Sequence, residues 1–80
     1  MFDKEKLKAA MVAHGDSNKD LAASLGMTAS NFSTIWNGRQ PFQRKHIIRI
    51  AVRYDLSPQE VWDVFFSAEV EIIKKEAREA

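Results

Sequence analysis

The chain contains no cysteine. That excludes disulfides and thiolate-bound metal centres and leaves stability to one apolar core. Histidine is almost as scarce: His14 and His46 stand in separate segments, with no carboxylate pair at useful spacing beside either. His14, next to Gly15, is expected to interact with a helix C-terminus, and His46 to face solvent or phosphate. No glycine-rich phosphate loop and no metal-ligand spacing is present, so neither catalysis nor a metal or organic cofactor is expected. No apolar run approaches the length of a membrane span. Lys4, Glu5, Lys6 and Lys8 break up the N-terminus where a secretory leader would need an apolar stretch. The expectation is a cytoplasmic protein without a membrane partner.

What is there is an ordinary globular composition, 45% apolar and 29% charged over 80 residues, enough for one domain that buries roughly 60–65% of its unfolded surface. The net charge of +1 conceals an asymmetry. Residues 1–53 hold nine basic and four acidic side chains, whereas 54–80 hold three basic and seven acidic. Between residues 39 and 53, Arg39, Arg44, Lys45, Arg49 and Arg53 occur with no acidic residue among them. Such a segment is either a solvated helix face or a phosphate-binding one, and its neighbours decide which.

Those neighbours are residues 18–38, NKDLAASLGMTASNFSTIWNG. Ser17 precedes Asp20 by three, a capping arrangement. Leu21, Ala22 and Leu25 share one helical face, and Gly26 ends that helix. Thr28 can cap the next, whose buried stripe is Phe32, Ile35 and Trp36. Asn37-Gly38 is a second stop. The remaining chain reads as helix over residues 3–13 (Asp3 as cap, Leu7, Ala10 and Met11 inward, Gly15 as stop), over 43–54 (Ile47, Ile50, Ala51 and Tyr54 inward), and from Ser57-Pro58-Gln59-Glu60 onward. In the tail after residue 66, Val70 and Ile72 alternate with Glu69 and Glu71 as in a strand, but the Lys/Glu/Ala/Arg ending favours helix.

This pattern resembles the lambda-repressor-like helix-turn-helix family, the Cro/CI and XRE type of bacterial and phage regulators. The resemblance rests on Asn18, Leu21, Ala22, Leu25, Gly26, Met27, Thr28, Phe32, Ile35 and Asn37-Gly38-Arg39. It extends to Ile47, Ile48, Ile50 and Ala51 as a fourth-helix core and to Leu56-Ser57 with Glu60-Val61 as the start of a fifth helix. The ending 65–70 is also similar to small Cro-like proteins of phages and mobile elements. The resemblance implies an all-α, five-helix DNA-binding domain over residues 1–66, followed by a C-terminal tail, 67–80. It implies a repressor that binds operator DNA as a dimer. Asn18 and Ala29 stand where the family commonly has Gln. Met11 and Trp36 stand where some relatives bury an Arg–Glu pair, and an apolar pair there need not reduce stability.

On the expected recognition helix, removal of the core positions leaves Ala29, Ser30, Asn31, Ser33 and Thr34 to face base edges. The resemblance assigns base reading to Ala29, Ser30, Ser33 and Thr34, and Asn31 could pair with adenine through its amide. Hydroxyls discriminate poorly, and no Arg or Gln is present for bidentate guanine contact, so modest readout of a T-rich half-site, supplemented by DNA shape, is expected. Phosphate contacts are expected from Asn18, Lys19, Asn37, Arg39, Gln40, Arg44 and Lys45. The resemblance adds a backbone-contacting role for Asn18 and Asn37, and Asn before Gly is also a good turn residue. Val61, Trp62, Val64, Phe65 and Phe66 give the fifth helix more apolar surface than one small core needs. Phe65 is expected in the core, and Trp62, Phe66, Val70 and Ile73 at a homodimer interface. The rival reading is a small antirepressor or co-repressor whose partner is a second repressor protein.

Overall fold

The computed structural model describes residues 2–79, so Met1 and Ala80, the outer ends of the two segments expected from sequence, lie outside the described residues. These residues form helices only: α1 (Lys4–Ala13), α2 (Asn18–Ser24), α3 (Ala29–Trp36), α4 (Arg44–Arg53), α5 (Pro58–Phe65) and α6 (Ser67–Glu79). Among the described residues no strand occurs, and no helix is long and apolar enough to cross a membrane. The tail is therefore helical, as its propensities favoured.

Helix starts follow local chemistry. Asp3 accepts from the Lys6 amide, Thr28 from Asn31, and the Ser17/Asp20 and Ser57/Glu60 pairs close reciprocal capping boxes. Four helix ends share one device. In each, the second residue past the cap donates back to the carbonyl five positions earlier, as in Met27 N–H to Ala22 O at 3.0 Å and Leu56 N–H to Ala51 O at 2.9 Å. The motif needs a left-handed residue just past the cap. Gly26 takes it after α2 with φ +70°, whereas after α4 it falls to Asp55 with φ +50°. α5 and α6 are nearly continuous. Phe66 separates them with φ −128°, and the Ser67 hydroxyl donates to the Asp63 carbonyl across the break.

The core joins Leu7 and Met11 of α1, Leu21, Ala22 and Leu25 of α2 with its cap, Phe32 and Ile35 of α3, Ile50 and Tyr54 of α4 with its cap, and Val64 and Phe65 of α5. α2 packs on α3, while α1 and α4 pack on α5. Phe42, in the loop before α4, is buried at the centre of an aromatic group, with ring centroids 5.0 Å from Phe2, 6.3 Å from Phe32 and 5.7 Å from Phe65. The Asp3 amide donates to Val64 O at 2.7 Å and fixes the chain's start against α5.

Two expectations for α4 need correction. His46 is buried, 8% exposed, and does not face solvent or phosphate. It occupies the third position of α4, where its Nδ1 accepts from the Gln43 amide at 3.3 Å and closes the helix start. Ile48 is 51% exposed and is not a core residue. The buried stripe runs through 46, 50 and 54, and Ile47 and Ala51 are half-buried at its edge. Trp36 is also only half-buried, packed on Phe2 and Phe32 at 5.4 and 5.8 Å between centroids.

Candidate nucleic-acid interface

The α2–turn–α3 unit is built around Leu21, Ala22, Leu25, Phe32 and Ile35, all buried. Gly26 reverses the chain, and Thr28 restarts it as α3 with its side chain on the Asn31 amide at 3.1 Å. Burial of Phe32 and Ile35 turns the opposite face of α3 outward. Ala29, Ser30, Asn31 and Ser33 are exposed there, and Thr34 is half-exposed. The Thr34 hydroxyl donates to the Ser30 carbonyl at 3.1 Å, which commits its proton within the helix and leaves its methyl and lone pairs for a ligand. Asn37 caps α3, and its Nδ2 donates to the Ser33 hydroxyl oxygen at 3.3 Å. The face carries no charge.

Around α3 the polar side chains differ in freedom. Lys19, Asn37, Arg39, Gln40, Arg44 and Lys45 are exposed. Asn18 is half-buried at the first position of α2, and its side-chain oxygen accepts from Lys8 Nζ at 3.5 Å. Arg53 leaves the basic segment. Its Nε and Nη2 donate to the two Asp16 carboxylate oxygens at 2.6 and 2.8 Å, and Tyr54 Oη donates to the same carboxylate at 2.6 Å. Among the described residues, the segment's cations without a hydrogen-bond or ion-pair partner are thus Arg39, Arg44, Lys45 and Arg49.

Helix dipoles sharpen the contrast. The first turns of α1, α2, α5 and α6 contain Glu5, Asp20, Glu60 and Glu69, each a carboxylate at the positive end of a helix. Among the described helices, α3 and α4 alone have no acidic residue there. α4 goes further and places Arg44 and Lys45 in its first turn. Cations at that end are unfavourable by about 0.3–1 kcal/mol each at low ionic strength. His46, third in the same turn, is held below the usual histidine range by burial and by the charges of Lys45 and Arg49, so the turn is relieved of a third charge.

The groups that hold this arrangement were largely invisible in the sequence. Asp16, the residue after the α1 stop, ties the α1–α2 corner to the end of α4 through Arg53 and Tyr54. Those two donors hold its carboxyl at about 2, well below the ordinary 3.8. Burial, and then the Asp16 hydrogen bond, raise the Tyr54 phenol. His14 behaves as expected: its Nδ1 lies 2.9 Å from the Ala10 carbonyl near the end of α1, and its ring lies 5.0 Å from that of Tyr54. No sequence signal beyond charge and aromaticity links partners 37 and 38 positions apart. On α5 and α6, Phe65 is in the core as expected. Trp62, Phe66 and Ile73 are 45%, 39% and 57% exposed and Val70 is half-buried, while Ile72 is a further exposed apolar residue at 44%.

The chain matches no protein-family model, and no curated protein and no solved structure is significantly similar to it.

Proposed function

We propose that the chain is a DNA-binding transcriptional regulator of the lambda-repressor-like type, with α2 and α3 as its helix-turn-helix, α3 as the recognition helix, and repression as the outcome. The observation that carries this reading is the uncompensated positive charge at the starts of α3 and α4. Four helices neutralise their own N-termini, whereas these two leave that to something else, and α4 adds two cations. A duplex phosphate backbone supplies the missing anions. The exposed side of α3 is an uncharged, hydroxyl- and amide-bearing face, suited to base edges and thymine methyls. The chain acts on this reading as a homodimer. Phe66, at the junction of α5 and α6, and Val70, Ile73 and Ala77 along α6 follow a 4-3-4 spacing, the pattern of a helix that packs on a twin.

Selection from a random duplex library tests it. An enriched inverted repeat with half-site centres roughly 34 Å apart is expected, with Ser30→Ala and Thr34→Ala altering its preference. Failure to enrich any sequence, with binding lost as salt rises, refutes sequence-specific recognition. The exposed Trp62, Phe66, Ile72 and Ile73 favour a second reading, an antirepressor or co-repressor that covers another repressor. That association would depend on Trp62 or Phe66 and change little with salt, whereas DNA binding would weaken with Arg44→Gln.

A further inference from the structure

We infer that α1 carries a second set of phosphate-binding residues, Lys4 and Lys8, beside the C-terminal end of the recognition helix; this rests on the DNA-binding reading above. Lys4 and Lys8 are one helical turn apart, so both project from one face of α1, while Lys6 projects from the other. Lys8 Nζ reaches the side-chain oxygen of Asn18 at 3.5 Å. Lys4 Nζ lies 5.8 Å from the Trp36 ring centre, over its face. Trp36 is the last residue of α3 and closes two adjoining surface grooves. One is bordered by Lys4, Lys8 and Asn18, the other by Lys4, Asn37 and Arg39. The two lysines therefore bridge Asn18 and Asn37–Arg39, which belong to the proposed backbone contacts, into one polar rim around Trp36.

These two interactions are informative about energy as well as place. A lysine ammonium draws little from an amide oxygen at 3.5 Å or from a half-exposed ring, so neither interaction needs to survive exchange for a phosphate. Both hold the ammonium close to where the phosphate would lie, and that lowers the ordering cost of the exchange. Asp3 and Glu69 border the groove that holds Asn37 and Arg39, and one anionic group, Glu5, borders both grooves beside the lysines. It repels the same phosphates, which makes it a counter-test of opposite sign.

The experiment measures affinity for a duplex carrying the selected site as a function of salt, in the full chain, for Lys4→Gln, Lys8→Gln, Glu5→Gln and Lys6→Gln. Each lysine variant removes one positive charge, so Lys6→Gln controls for net charge alone. Removing one lysine–phosphate pairing should flatten the slope of log K against log salt by about 0.9, equivalent to roughly five- to tenfold in affinity near 0.1 M. Lys4→Gln and Lys8→Gln should each show that change, Lys8→Arg should restore the slope, Glu5→Gln should tighten binding, and Lys6→Gln should stay within about twofold. Unchanged thermal midpoints identify the effects as effects on binding. If Lys4, Lys8 and Lys6 variants weaken binding equally, or if only Arg44→Gln flattens the slope, the α1 pairings are refuted while DNA binding stands. If the wild-type chain binds no duplex, the DNA reading fails and this inference with it.

Discussion

Phe42 offers the sharpest test of how α3 is held in the fold. It lies in the loop between α3 and α4, 9% exposed, with three aromatic rings within 6.3 Å. The rings come from the chain's start, from α3 and from α5, so one side chain joins three segments. Truncation to alanine removes the whole ring from a site whose neighbours cannot all collapse inward, at about 3–5 kcal/mol. Leucine keeps much of the apolar volume but gives up the edge-on ring packing, each pair worth about 0.5–1.5 kcal/mol beyond area, so Phe42→Leu should cost about 1–2 kcal/mol. An 80-residue domain has about 4–12 kcal/mol in total. Phe42→Ala should therefore lower the thermal midpoint by roughly 15–30 °C and Phe42→Leu by roughly 5–15 °C. Urea unfolding followed by far-ultraviolet circular dichroism gives the free energies. Trp36 fluorescence in a Trp62→Phe background gives a second probe inside the aromatic group. Coincident transitions justify two-state treatment. A destabilisation below about 1 kcal/mol for Phe42→Ala would refute the assignment of Phe42 as the joint, since removing a fully packed ring has a larger effect than that.

Other consequences are open to measurement. Asp16 is ionised in the fold down to about pH 2 and in the unfolded chain only to about 3.8, so the stability it contributes is complete above about pH 4 and is lost as pH falls through 2. Asp16→Asn should be less stable than wild type at pH 7 and converge with it in acid; parallel curves would exclude the clamp. His46 resists protonation in the fold, so its contribution is complete above the unfolded value of 6.5 and declines as pH falls below it. Its imidazole resonances should titrate below 6.5, and a midpoint at or above that value would contradict the buried, hydrogen-bonded ring. Asp55→Gly should stabilise by up to about 1 kcal/mol, because glycine adopts φ +50° without a Cβ penalty; a lower thermal midpoint would show that the Asp55 side chain compensates for its backbone.

The helix boundaries were legible because capping is a matter of three or four residues. Ser17 with Asp20, Ser57 with Glu60, Thr28, and the glycines at 15, 26 and 38 each act on hydrogen bonds within one turn. The rotation of a helix against its neighbours is a different matter, since a shift of one residue turns a helix by about 100°. The sequence of α4 fits a stripe through 47, 50, 51 and 54, but packing rotates it onto 46, 50 and 54. That is why His46 went inside and Ile47 and Ala51 only to the edge. Phe42 carries no periodicity because it belongs to no helix. The outer face of α3 could be read by elimination, as its inner positions were unambiguous. The lysines of α1 could not, since their significance lies in what they approach.

The eight residues of α3 divide their labour. Phe32 and Ile35 answer to the interior, and Ala29, Ser30, Asn31 and Ser33 answer to nothing within the chain's core. Substitutions on the outer set can then accumulate without harm to folding, so the surface that would choose a target is free to drift while the scaffold stays fixed. A family of proteins with one architecture and many specificities could descend from such a helix by changing four side chains at a time.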